Sequence, residues 1–183
     1  MSVQRFLAVD LGASGGKCFA GVFDNGAFSM RAIHRFAYEC VFFHLPDRAG
    51  RSVERMVWDD TLIYAHILTG MRAFRREVGK SLDAIGIDTW GSDGQFITED
   101  GDMLGKVYAY RDHRLDAMIA QVKARIPAER IYAITGIHFQ PFNISNQILW
   151  FMQNRKHLLL SKCRYVPIPS LFYYYLGGIN KVD

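Results

Sequence analysis

Residues 6–10 form a short apolar run ending in an acid, and residues 17–23 form a second such run, so two strands are predicted with a small-residue turn at 11–16 between them. Asp24, Asn25 and Gly26 then supply a tight turn, because Asn and Gly tolerate positive φ, and residues 28–36 are expected to return as a third antiparallel strand. From 40 to 56 the period is lost among Pro46, Gly50 and scattered arginines, and a long loop is expected there. Asp59 or Asp60 can cap a helix in which Ile63, Ile67, Met71, Phe74 and Val78 recur at spacings of three and four, with Gly79 as its stop. Residues 84–89 read as a short buried strand and 95–98 as another. A strand, a crossover helix and a strand imply parallel pairing. Helical patterns follow at 115–125, 129–134 and 145–154, then a strand at 165–168 and a helix at 170–176 ending on Gly177 and Gly178. The expected fold class is therefore α/β, with a mixed five-stranded sheet of three antiparallel and two parallel strands and helices on both faces. No repeat or Pro/Gly/Ser linker divides the chain, so residues 1–183 are expected to be one lobe.

Composition narrows the function classes. Half of the 183 residues are apolar and 22% are charged, enough for a substantial core. The net charge of +4 is spread out. Its densest basic cluster, Arg72, Arg75 and Arg76, falls on the predicted helix as a solvated face, so nucleic acid is not an expected partner. The opening residues lack the apolar stretch of a secretory leader, no apolar run approaches the roughly 20 residues a membrane span needs, and no membrane partner is expected. Cys18, Cys40 and Cys163 have no paired spacing. That pattern suggests neither a disulfide framework nor a zinc site and fits a cytoplasmic location. His138 stands alone, and His34, His44 and His66 lack the i, i+4 spacing of a metal-holding helix.

The sharpest chemical feature is the stretch Val9-Asp-Leu-Gly-Ala-Ser-Gly-Gly-Lys17. Small residues let backbone N–H groups approach an anion, a strand-ending carboxylate can hold Mg²⁺ through waters, and Ser14 and Lys17 can meet phosphate oxygens. The spacing is not that of a Walker loop, and a strand rather than a helix follows, which also excludes the dinucleotide fingerprint. The same residues equally suit an ordinary glycine-rich hairpin whose Asp caps the turn.

The string from Ala8 to Lys17 resembles the first phosphate motif of the actin and sugar-kinase superfamily, in the form found in rhamnulokinases of the FGGY carbohydrate kinase family. Five further motifs are similar in the same order: His34-Arg35-Phe36, Trp58-Asp59, Ile85-Gly-Ile-Asp-Thr-Trp-Gly91, Tyr110-Arg-Asp-His-Arg114 and Thr135-Gly-Ile-His-Phe-Gln-Pro-Phe-Asn143. The resemblance is collinear from Ala8 to Gly178. It implies a ribonuclease H-like, actin-like ATPase fold, and a small-molecule sugar substrate phosphorylated with ATP and Mg²⁺. Gly12, Ala13, Ser14, Gly15, Gly16 and Lys17 would face the ATP phosphates and Asp10 the metal. Trp90, Gly91, Ser92, Arg111 and Asn143 would line the sugar site. For Trp90 a core aromatic is an equal alternative, and for Asp112 and Arg114 a surface ion pair or helix cap is the simpler reading.

Departures from the family pattern matter too. The usual V-D-F after Trp-Gly reads Ser92-Asp93-Gly94, the usual I-Q-F-L reads Ile137-His-Phe-Gln140, and an acid near the end is replaced by Ser170. The family's catalytic base, an Asp in an H-D-T-like motif, lies beyond the matched stretch, so no catalytic residue is expected in this chain. An amino-terminal domain without its carboxy-terminal partner is the reading, with no turnover on its own and possible homodimerisation through an exposed inter-lobe face. The full-length activity implied is phosphorylation of L-rhamnulose or a related ketose. Another kinase of the family, acting on xylulose, fuculose or glycerol, is the alternative, as is a non-catalytic sugar-binding or actin-like module.

Overall fold

The computed structural model describes residues 2–47, 49–160 and 162–178, so the end of the chain at 179–183 lies outside the described residues. Two compact units are built from interleaved stretches. The first comprises the described residues of Met1–Glu39, Asp59–Gly91 and Ile168–Asp183, the second Cys40–Trp58 and Ser92–Pro167.

In the first unit β1 (Gln4–Leu11), β2 (Gly15–Asp24) and β3 (Ala27–Ala37) form an antiparallel meander, and β6 (Ala84–Asp88) adds in parallel beside β1, giving the order β3-β2-β1-β6. Asn25 at φ 48° and Gly26 at φ 83° make the expected tight turn. Helix α1 (Asp60–Glu77) starts where the Asp59 carboxylate accepts from Leu62 N, and it buries Ile63, Ile67 and Phe74, as the spacing predicts. Leu7, Val9 and Leu11 of β1 are buried on the α1 side with Cys18 of β2. At Gly70 a Cβ would lie 2.3 Å from Cys18 Sγ, so the helix comes as close as a glycine allows. Helix α5 (Ile168–Tyr175) is tied to α1, since Tyr64 Oη donates to Tyr175 O at 2.8 Å and Tyr175 Oη donates to Asp60 at 2.5 Å. It also reaches β6, where Ile87 N donates to Tyr173 Oη at 2.7 Å.

Several expectations about this sheet need correction. The sheet has four strands rather than five, because β7 (Gly94–Thr98) pairs antiparallel with β8 (Cys163–Pro167) instead. Only five residues separate β6 from β7, too few for the crossover that a parallel neighbour requires. Helical cover is also one-sided in this unit. Residues of the other parity, including Ala8, Gly86 and Asp88, are exposed among the described residues. β6 is accordingly half-exposed rather than a buried strand, with Ile87 its one buried residue.

In the second unit the loop expected at 40–56 is a hairpin, β4 (Cys40–Pro46) with β5 (Ser52–Trp58). Alternation is masked because Val41 and Phe42 stay exposed. The Asp47 carboxylate organises the turn by accepting from Ala49 N and Arg51 N. Helices α2 (Met118–Arg125), α3 (Ala128–Thr135) and α4 (Ile144–Asn154) follow close to their predicted places. The core gathers Val57, Phe96, Tyr108, Leu115, Trp150 and Phe151. Arg114 is buried within it, its guanidinium 4.7 Å from the Tyr108 ring centre and bonded to Ala109 O and Gln147 Oε1. Asp112 caps the 3-10 turn His113–Leu115 and accepts from Met56 N at 2.6 Å. The helix cap expected of Asp112 is thus present, while its ion pair with Arg114 is buried rather than on the surface.

Replacing glycine by alanine inside an exposed helix ordinarily gains about 1 kcal/mol. At Gly70 the sign is expected to reverse, with a loss of about 1–3 kcal/mol from the clash with Cys18. Urea unfolding of Gly70→Ala measures this, and an unchanged or raised midpoint contradicts the packing described.

Candidate functional site

The end of β1 carries the site. Gly12 N donates to Gly15 O at 2.9 Å and closes the turn into β2. Tyr38, buried beyond β3, clamps it: its N–H donates to Ser14 O at 3.2 Å and its hydroxyl donates to Gly12 O. The turn glycines are needed for space rather than for positive φ. A Cβ at Gly15 would lie 2.5 Å from Phe36 O, and one at Gly16 would lie 2.4 Å from the Phe36 ring. The N–H groups of Ala13 and Ser14 have no partner among the described residues and remain available to an anion.

Strand register lines up charge across this edge. Asp10 is directly paired with Lys17 on one side and Asp88 on the other, and Lys17 with Arg35, giving the row Asp88, Asp10, Lys17, Arg35 on four neighbouring strands. All four are exposed, and paired residues share a face with strands about 4.8 Å apart. Asp10, Gly12, Ser14, Gly15, Gly16, Lys17, Arg35 and Phe36 line one open concavity of about 350 Å³. Ala13 lies in the turn but does not line it. The bend is therefore neither buried nor turned away from an opening. Arg35, Phe36 and Asp88 were not singled out from sequence as site residues. Register reveals Arg35 and Asp88, because residues opposite Lys17 and Asp10 must join the same face, while Phe36 enters as the partner of Gly16.

Behind Phe36 a ring stack extends through the unit. Phe36 and His66 lie 4.4 Å apart at 6°, and His34 Nε2 is 3.2 Å from His66 Nδ1. Burial, and then the neighbouring His66, push the His34 imidazole below its ordinary value of 6.5.

Of the residues expected at the sugar, Trp90 and Gly91 follow β6 in the first unit. Trp90 is half-buried with its ring 6.4 Å from Tyr38, and a Cβ at Gly91 would meet nothing within 4 Å. Ser92, Arg111 and Asn143 belong to the second unit. There Asp93, overlooked as a site residue, joins their loops. Buried and held at φ 75°, its carboxylate accepts from Trp58 Nε1 at 2.7 Å, Tyr110 N at 3.0 Å and Gln147 Nε2 at 3.0 Å. Gln147 Nε2 also donates to Phe142 O, so the segments bearing Ser92, Arg111 and Asn143 share one anchor. Arg111 is exposed, with its guanidinium 5.2 Å from the Tyr110 ring centre. Asn143 Oδ1 is occupied by Gln140 N in the turn before α4. The departure at Gly94 also has a cause: a Cβ there would lie 2.4 Å from Val166 O and 2.7 Å from the Tyr165 ring, which fills that space.

A meander plus a parallel strand, ending in a glycine-rich turn beside a carboxylate, is the arrangement of an actin-like fold. Residues 6–181 match the FGGY family of carbohydrate kinases, N-terminal domain, and the chain belongs to that family. It is 34% identical over 181 residues to a rhamnulokinase of Mannheimia succiniciproducens, covering 98% of this chain and 36% of that protein. With a Bacillus subtilis rhamnulokinase it shares 33% over 173 residues, covering 94% and 33%. The chain thus spans about a third of the length of these relatives. Among solved structures, gluconate kinase of Lactobacillus acidophilus superposes with a TM-score of 0.70 at 14% identity, covering 94% of this chain and 33% of that one. Plasmodium falciparum glycerol kinase with ADP gives 0.70 at 16%, covering 96% and 35%. No helix among the described residues is long and apolar enough to cross a membrane.

Kinases of this family use ATP, and Mg²⁺ typically accompanies it. The residues present fit both. Asp10 and Asp88 put two hard oxygen donors side by side, while no group of three or more His, Cys, Asp or Glu gathers among the described residues. That donor set matches Mg²⁺, which is commonly held by one or two carboxylates and completed by waters and phosphate oxygens. When bound, the ion would neutralise phosphate charge, and Lys17 and Arg35 would add to that from the neighbouring strands.

Because the His34 value is depressed, the unfolded chain takes up a proton before the folded one does. Stability is therefore expected to fall as pH drops below about 6.5 towards the lower folded value, then to level off. Urea midpoints at pH 7.5 and 5.0 measure the loss, and His34→Gln should reduce it. An undiminished slope in that variant removes the His pair as its source.

Proposed function

We propose that this chain is the phosphate-gripping, amino-terminal part of an ATP-dependent sugar kinase whose acceptor is a ketose, L-rhamnulose at its primary hydroxyl. The observation carrying this reading is the Asp88, Asp10, Lys17, Arg35 row beside the Gly12–Gly15 turn, in a chain whose curated relatives bear the name rhamnulokinase. Chemically the row separates two tasks. The carboxylates suit a hard cation and the cations suit phosphate oxygens, so a polyphosphate laid across the strands meets both signs in order. Gly12, Ala13, Ser14, Gly15, Gly16 and Lys17 hold the phosphates, and Asp10 holds the metal. Trp90, Gly91, Ser92, Arg111 and Asn143 orient the sugar. Proton removal from its hydroxyl falls to a base outside this chain.

A different sugar is a second reading, favoured by Ser92 and Gly94. With Tyr165 occupying the space over Gly94, the segment after Gly91 has a shape of its own, and substrate choice follows such shape. A panel of rhamnulose, xylulose, fuculose, gluconate and glycerol against the full-length protein decides between the readings. Asp10→Asn in that protein is expected to lower kcat by about 10²–10³-fold with a smaller change in sugar KM. Retention of full kcat removes Asp10 from the mechanism. Residues 1–183 alone are expected to release no ADP in a sugar-dependent way, and such release refutes the division of labour proposed.

An isolated chain of this length is also inferred to self-associate, as homodimers, through apolar surface such as exposed Phe28 and Met30. Sedimentation equilibrium checks this, and a monomer at 100 µM, about a hundredfold above a micromolar Kd, goes against it.

A further inference from the structure

Near the start of β1, on the α1 side of the sheet, the first unit contains a second concavity, of about 290 Å³. Its floor is Leu7 and Phe74, 1% and 3% exposed, so it reaches the packed interface between β1 and α1. Leu68, Met71 and Leu82 form the walls. At the mouth stand Arg72 and Arg75, three apart on one face of α1, and Lys80 just beyond Gly79.

The charges at this mouth are unbalanced. Glu77, the acid within the same turns, is taken by Arg31 at 2.7 Å and Arg76 at 2.9 Å, and Asp83 accepts from Arg5 N. None of Arg72, Arg75 and Lys80 has an acidic partner among the described residues. An apolar floor beneath three uncompensated cations selects an occupant with two parts. A neutral hydrocarbon would leave the cations unanswered, and inorganic phosphate would leave the floor bare. Size excludes a folded partner, because a stable protein interface buries about 1,200 Å² or more, whereas this concavity approaches the lower end of small-ligand pockets.

We propose that this concavity is a binding site for a small amphipathic anion, a carboxylate or phosphate head on a short apolar body, distinct from the phosphate-facing edge at Asp10. The head pairs with Arg72, Arg75 and Lys80 at the rim, and the body displaces water from Leu7, Leu68 and Phe74.

The test is titration of the 183-residue chain with octanoate, octyl phosphate, octanol and inorganic phosphate, read by calorimetry and by methyl NMR at Leu7, Leu68 and Met71. Octanoate or octyl phosphate is expected to bind with one-to-one stoichiometry, about tenfold more tightly than octanol. Affinity should weaken with added salt, since the rim is exposed. Whichever head binds more tightly identifies carboxylate or phosphate as the natural group. The paired variant Arg72→Gln, Arg75→Gln should lose about tenfold for the anions and leave octanol unchanged. Both positions are on the exposed helix surface, and circular dichroism checks that the variant is folded. Anion binding no tighter than octanol, indifference to the paired variant, or methyl shifts confined to other residues overturns the proposal.

Discussion

The site at the turn depends on β1 being hydrogen-bonded on both edges, antiparallel to β2 and parallel to β6. A strand fixed on two sides cannot slip by one residue without turning its apolar set outward. Leu7, Val9 and Leu11 are buried towards α1, so Asp10 is forced to the opposite face, as the last residue of the strand paired on both edges. The same constraint places Lys17, Arg35 and Asp88. Hydrophobic burial on one face thus arranges polar chemistry on the other. Gly70 completes the arrangement by letting α1 press directly on Cys18, whose thiol burial pushes up to about 11, leaving it a packing group at neutral pH.

In the second unit a buried carboxylate plays the corresponding part. Asp93 receives three hydrogen bonds from three separate segments, and its cost of burial is offset by those donors and by Arg114 in the same core. An anion with several directional partners fixes loop positions more narrowly than apolar contacts can. The unit also holds buried polar atoms without partners among the described residues, Gln95 Nε2 and Tyr165 Oη. Burial, with Asp93 nearby, pushes the Tyr165 phenol well above its ordinary value. Its ring replaces the side chain that Gly94 lacks, so a residue far along the chain explains a local departure in sequence.

Much of the first unit was legible in the sequence because its signals are local. Asn25-Gly26 dictates a hairpin turn, the three-and-four spacing from Ile63 to Phe74 dictates an amphipathic helix, and small residues between two apolar runs dictate a close turn. The hairpin of β4 and β5 was illegible for an equally physical reason. A two-stranded ribbon with Val41 and Phe42 exposed shows no clean alternation. The fifth strand failed on connection length, which pattern alone does not weigh, and the partner of β7 lies about 70 residues further on. Site residues followed the same rule. Asp10 and the turn could be read from contiguous chemistry, whereas Arg35, Asp88 and Asp93 acquire meaning only through pairing or burial.

The two concavities of the first unit show how one helix and one sheet support opposite chemistries. At the end of β1 the lining is charged and glycine-rich, with Asp10, Lys17 and Arg35 around the opening. Near its start the lining is apolar, and charge stands only at the rim. The difference comes from which strand parity each opening exposes. The first opens at the strand end, where Asp10, Lys17 and Arg35 share the face away from the buried parity, while the second opens between α1 and the Leu7 parity. Burial at the centre of the sheet separates the openings, so side chains at one can change without repacking the other.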